Sequence, residues 1–161
     1  DIALNDVRGK ALNLPVAELY GGRLRDKVPV YASAMNYVQG QKPELFFPRQ
    51  AEALVKEGYK ALKMRIGRYS VRREAPIAAS IRKAVGPDVK LLADGNAAYT
   101  MRTSLQMGEA LHKSDFEAFE EPMPQSPKYA GYEELRKKLY LETLLPEQAM
   151  IWNKLPISLE L

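Results

Sequence analysis

The 161-residue chain has no cysteine. That excludes a disulfide framework and a thiolate metal centre, so any metal must bind through oxygen or nitrogen, and the simplest compartment is cytosolic. A hard cation fits such a ligand set better than structural zinc. The single histidine, His112, falls near the end of a predicted helix, where a cation suits the helix dipole, and it reads as structural. No apolar run approaches the roughly 20 residues of a membrane span, and no signal-peptide pattern opens the sequence, so a soluble, unexported, cytoplasmic protein is expected. Charge of one sign is also missing. The 24 Lys and Arg residues are scattered among 20 acids, for a net charge of +4, which argues against nucleic acid as a partner. One local basic cluster, Arg68, Arg72 and Arg73, reads as a solvated helix face.

What the chain does have is a set of apolar runs that end in charge. Leu91-Leu92-Ala93 runs into Asp94-Gly95-Asn96, and Phe116 to Phe119 runs into Glu120-Glu121-Pro122. Upstream, Tyr59 to Gly67 carries Lys63 and Arg65 near its end. Successive charged ends lie one βα unit apart in sequence, with helical periodicity between them, as in Val71 to Val85. Crossovers of that length return the chain for parallel strands. The charged ends then gather at the carboxyl rim of a parallel sheet or barrel, where ligands and chemistry sit. Residues two apart in a strand share a face, which sets Lys63 beside Arg65 and Asp94 beside Asn96. Carboxylates and cations at one rim suggest a metal site next to a proton-transfer group.

Read along its length, the chain opens with a helix to about Leu12 and, after Pro15, a second short helix stopped by Gly21-Gly22. Strands are expected over Val28–Ser33, Tyr59–Gly67, Val89–Asp94 and Phe116–Glu120. Helices are expected over Pro43–Glu57, Val71–Val85, Thr100–Lys113 and Tyr129–Leu139. Tyr140 to Leu161 shows no clean strand, turn and helix sequence; Met150, Ile151 and Trp152 read as an apolar patch. Four βα units do not close a barrel, which needs eight strands and about 250 residues. The chain begins in mid-helix without methionine, so a fragment, or a sheet completed by another chain, is expected.

With these residues assembled, the chain resembles the enolase superfamily in its mandelate racemase and muconate-lactonising branch, and more narrowly an acid-sugar dehydratase. The supports are Asp1-Ile2-Ala3-Leu4 through Asp6 to Ala11, Gly21-Gly22, Lys63-Met64-Arg65, Asp94-Gly95-Asn96 and Phe119-Glu120-Glu121-Pro122, in that order. The resemblance implies part of a (β/α)8 TIM-type barrel with parallel strands over residues 27–139. It makes residues 1–26 the helical tail of a capping domain and leaves 140–161 as a divergent tail.

The resemblance further implies Mg²⁺ held by three carboxylates on successive strands: Asp94, Glu120 and, one unit on, Glu147, with Glu142 a second candidate whose spacing is short. Glu147 follows Leu144-Leu145-Pro146, where similar proteins have a glycine pair. The implied chemistry removes the proton α to a substrate carboxylate and then expels a β-hydroxyl, giving a 2-keto-3-deoxy acid. Arg65 stands where the family often has its lysine base. Arginine loses its proton only above about pH 12, so charge stabilisation or carboxylate binding suits Arg65 better. Lys63 is open to two roles, base or cation beside the intermediate. His112 is not the opposite-face base that many relatives carry on a later strand.

Plainer explanations stand beside these. Asp94 and Glu120 could be a helix N-cap and a solvated strand end, and Lys63 and Arg65 simple ion-pair partners for them. Asn96 either shapes the turn after Gly95 or contacts substrate, and Glu121 either supports the metal ligands or pairs with basic neighbours. Tyr69 and Tyr99 follow strand ends and are expected to pack in loops. The function expected is a Mg²⁺-dependent lyase acting on a small-molecule carboxylate, an acid sugar. Racemisation or epimerisation of a hydroxy acid is the first alternative; an inactive fragment or self-assembling half-barrel is the second. Two open sheet edges point to a homo-oligomer.

Overall fold

The computed structural model describes residues 1–124, 130–139 and 142–144. They belong to two compact units, Asp1–Val30 and Tyr31–Leu161. In the first, α1 (Ile2–Leu12) stops where Asn13 turns left-handed at φ 52°, its N–H donating to the Lys10 carbonyl and the N–H of Leu14 to that of Gly9. Pro15 then precedes α2 (Val16–Leu19), so the break expected at that proline is present. Gly9 is required by closeness: a Cβ there would lie 2.8 Å from the Leu14 carbonyl oxygen.

The second unit is a five-stranded, wholly parallel sheet whose strands lie in sequence order. Its elements are β1 (Ala32–Ala34), α3 (Pro43–Lys56), β2 (Ala61–Arg65), α4 (Val71–Val85), β3 (Lys90–Asp94), α5 (Met101–Lys113), β4 (Ala118–Glu120), α6 (Ala130–Lys138) and β5 (Glu142–Leu144). A helix lies between each pair of strands, and consecutive helices pack against each other from α3 to α6. Strand-by-strand progression with one helix per step is the pattern of a TIM-type barrel, here seen in part. None of the described helices is long and apolar enough to cross a membrane.

Two expectations are corrected. The first strand does not begin at Val28. Val28 and Val30 are exposed, at 70% and 69%, with no sheet face to cover them, and pairing starts only at Ala32, opposite Leu62. The stretch after Leu139 does contain a strand: β5 pairs in parallel with β4, with Glu120 opposite Leu144. Three residues are too short a run to show period-two alternation, so the strand is set by its neighbour. Glu147, Met150, Ile151 and Trp152 lie outside the described residues.

Alternation divides the sheet into two faces. Leu62 and Met64 of β2, Leu91 and Ala93 of β3, and Phe119 of β4 form one core with Phe47 and Ala51 of α3, Ile77, Ala78 and Ile81 of α4, and Met107 and Leu111 of α5. The opposite face carries Lys63 and Arg65, then Asp94, then Glu120. The register sets Arg65, Asp94, Glu120 and Leu144 in one row, with Lys63 two residues below Arg65.

β1 to β4 each leave the sheet through a left-handed residue just past the strand end: Met35 at φ 55°, Gly67 at 98°, Asn96 at 43° and Glu121 at 41°. Ala97 adds another at 60°. Such a conformation costs a non-glycine residue roughly 1–2 kcal/mol, so it persists only where neighbours hold it.

Candidate functional site

The row of strand ends brings four of the expected residues together. Lys63 Nζ lies 2.8 Å from Glu120 Oε2 and 3.2 Å from Asp94 Oδ2, with all three side chains buried. Arg65 Nη1 reaches Asp94 Oδ2 at 2.9 Å and also donates to Asn96 Oδ1. Asp94 Oδ1 accepts the Asn96 N–H at 3.0 Å, so Asn96 both shapes the turn and holds Arg65. Two acids and two bases cancel in formal charge.

Burial by itself pulls the Lys63 ammonium pKa down and is the largest single influence. The hydrogen bond and charge of Glu120, followed by those of Asp94, outweigh it and hold the ammonium above the ordinary lysine range. Buried ion pairs contribute little net stability against an apolar replacement.

The explanation of the two acids as a helix N-cap and a solvated strand end fails, for both are buried. α5 is capped by Thr100, which exchanges hydrogen bonds reciprocally with Thr103, and α6 begins ten residues beyond Glu120, at Ala130. The ion-pair explanation for Lys63 and Arg65 holds in this arrangement. Glu121 contributes through its backbone, its carbonyl accepting the Ala97 N–H at 2.7 Å. Tyr69 packs edge-on against Tyr37 and under the Arg73 guanidinium at 3.7 Å, while Tyr99 is buried against Phe119. Arg73 also pairs with Glu44 at 2.7 Å, so one member of the basic cluster is tied down.

The most heavily bonded acid at this rim was hidden in that cluster. Glu74, fully buried, accepts the backbone N–H groups of Gly67, Arg68 and Tyr69 at 2.9–3.0 Å and the hydroxyls of Tyr37 and Tyr99. A signal existed in the sequence: Glu74 begins the buried stripe Glu74, Ile77, Ala78, Ile81. An acid at an apolar position of a helix must have partners.

The same arrangement bears on a metal. Asp94 and Glu120 converge on one point, held by the Lys63 ammonium, so two hard oxygen donors already face a common cation. Magnesium is often bound by one or two carboxylates together with substrate oxygens and water, and this pair fits that pattern. Among the described residues no group of three His, Cys, Asp or Glu is set to hold a metal.

Residues 47–154 match the family described as enolase C-terminal domain-like. The chain belongs to that family. Within the enolase superfamily, it is 39% identical over 124 residues to arabinonate dehydratase of Saccharolobus solfataricus, a match covering 76% of this chain and 32% of that protein. The solved 3,6-anhydro-D-galactonate cycloisomerase of Zobellia galactanivorans superposes with a TM-score of 0.80 at 35% identity, over 91% of this chain and 40% of that one. A racemase from Streptomyces coelicolor A3(2), solved with bound magnesium, superposes with a TM-score of 0.79 at 25% identity, over 91% of this chain and 40% of that one. The chain thus spans about a third of the length of the curated relatives it matches.

Proposed function

We propose that this enolase-superfamily chain carries the metal-binding and charge-stabilising part of a Mg²⁺-dependent acid-sugar dehydratase. The observation that carries the reading is the convergence of Asp94 and Glu120 on one cation at the strand ends. Asp94 and Glu120 would hold the ion, with Glu147, outside the described residues, as the third carboxylate. When bound, Mg²⁺ supplies charge neutralisation for a substrate carboxylate. Arg65, partly exposed beside Asp94, is placed to bind that carboxylate, and Asn96 fixes its guanidinium. Lys63, kept charged by its two acids, suits the role of cation beside a developing enediolate rather than that of base. Neither β2 cation is assigned the proton abstraction. The substrate class rests on the likeness to arabinonate dehydratase. The cycloisomerase likeness makes ring rearrangement without loss of water the second reading.

Isothermal titration with Mg²⁺ and a screen of acid sugars for 2-keto-3-deoxy products test this directly. Asp94→Asn is expected to weaken Mg²⁺ binding by at least about 100-fold, while Glu121→Gln, which alters no carboxylate of the pair, costs about tenfold or less. Equal losses in the two variants would overturn the ligand assignment. Products isomeric with their substrates would favour the second reading.

A further inference from the structure

We propose that Glu74 is the positioning residue of the Lys63, Arg65, Asp94 and Glu120 cluster: one buried carboxylate that locks the loops after β1, β2 and β3 to each other. The inference rests on the reading of this rim as the catalytic site. Each loop supplies its own donors. Tyr37 comes from the loop after β1, the N–H groups of Gly67, Arg68 and Tyr69 from the loop after β2, and Tyr99 from the loop after β3. Glu74 is fully buried and ringed by donors, so it is closed to substrate and acts only through what it holds.

The connection to the cluster runs through the loop after β3. Asn96 and Ala97 are both left-handed, and the segment is pinned by Ala97 N–H to the Glu121 carbonyl at 2.7 Å and Tyr99 N–H to the Pro122 carbonyl at 3.0 Å. The Tyr99 hydroxyl on Glu74 anchors the far end of that segment. On the other side, Gly67 lies so close that a Cβ would sit 2.5 Å from the Ala98 Cβ and 2.8 Å from the Gly95 oxygen. Between these anchors stands Asn96, which holds Arg65 and bonds Asp94. Releasing Glu74 frees both flanks of Asn96, and Arg65 and Asp94 lose their alignment.

The test compares Glu74→Gln with Arg82→Ala, a change at the opposite end of α4. Amide exchange is read first, because it needs no activity. Glu74→Gln is expected to speed exchange at Gly67–Tyr69 and at Asn96–Tyr99 together, whereas Arg82→Ala leaves both protected. Faster exchange confined to Gly67–Tyr69 would show that the carboxylate couples nothing and would overturn the proposal. With Mg²⁺ and an active acid sugar, Glu74→Gln is expected to lower kcat by about 10–100-fold, with Arg82→Ala within about twofold of the parent despite comparable loss of Tm. Equal kcat effects in both variants would overturn it. Should Glu74→Gln fail to fold, Tyr99→Phe serves: faster exchange at Asn96–Tyr99 with a smaller fall in kcat is expected, and unchanged exchange would overturn the proposal. An inactive parent whose loops still respond together would sink the functional reading while leaving the coupling intact.

Discussion

At the end of the sheet where β1, β2 and β3 finish, the loops close on an anion; at the end where β3 and β4 begin, the connecting segments close on a cation. Both charges come from α4. Glu74 in its first turn collects backbone N–H groups and phenols. Arg82 in its last turn donates to the carbonyls of Gly86 at 2.6 Å, Val89 at 2.8 Å, Ser114 at 3.2 Å and Asp115 at 2.5 Å. The polarity follows from the chain direction. Glu74 takes the N–H groups of the loop that leads into α4, and Arg82 takes carbonyls at and just beyond the C-termini of α4 and α5, where helices leave carbonyls without helical partners. The helix dipole favours the same distribution along α4 itself. The difference is in what the anchors support: the carboxylate holds the loops that follow Arg65 and Asn96, whereas the guanidinium meets main chain at the start of β3 and β4.

Four changes separate the two ends. Gly67→Ala strikes the carboxyl rim, where a side chain meets both a left-handed backbone at φ 98° and the Ala98 and Gly95 contacts. Strain and overpacking together are expected to cost on the order of 3 kcal/mol in urea unfolding, with activity lost alongside; a neutral outcome would mean the rim is loosely built. Arg82→Ala is expected to cost about 2 kcal/mol by the same measurement, since its charged hydrogen bonds go to carbonyls that can be rehydrated, and to spare Mg²⁺ binding. Binding lost in that variant would erase the distinction between the ends.

The third change is alkaline pH. Burial first, and then the hydrogen bond and charge of Glu74, raise the pKa values of Tyr37 and Tyr99. A folded pKa raised above the unfolded one gives stability that is complete below about pH 10 and is lost as pH climbs towards the raised value. Melting temperature should therefore fall above about pH 10, with the phenolate absorbance of these two tyrosines appearing only on unfolding. The fall should be shallower in Tyr99→Phe; an unchanged slope would detach Tyr99 from the effect. The smallest change is Ala97→Gly, expected to stabilise by about 1 kcal/mol as the left-handed strain at φ 60° is relieved.

Much of the carboxyl rim was legible because period-two alternation needs no tertiary knowledge. Once Lys63, Asp94 and Glu120 are set near strand ends, their convergence follows from parallel pairing. α4 likewise matches its expected span, since Gly86 and a clean apolar stripe mark it. What stayed hidden depends on partners distant in sequence. β5 is a strand only because β4 lies beside it. Asn96, Ala97 and Glu121 give no glycine signal for their left-handed backbone. Glu74, between arginines and a proline, looks like surface until its five donors from three loops are seen together.

The two anchors on α4 also give that helix the character of a ruler. Glu74 and Arg82 are a little over two turns apart, about 12 Å along the axis, close to the length of roughly 13 Å that the five residues of β3 span. The spacing of the anchors, rather than the whole 15-residue helix, matches the height of the strand that follows it. Inserting one residue between the anchors would swing one of them about 100° around the axis. Its charge would then face the wrong wall, however well the apolar stripe were restored. Length in this element is thus a measured quantity, and variation in α4 is tolerable in composition long before it is tolerable in count.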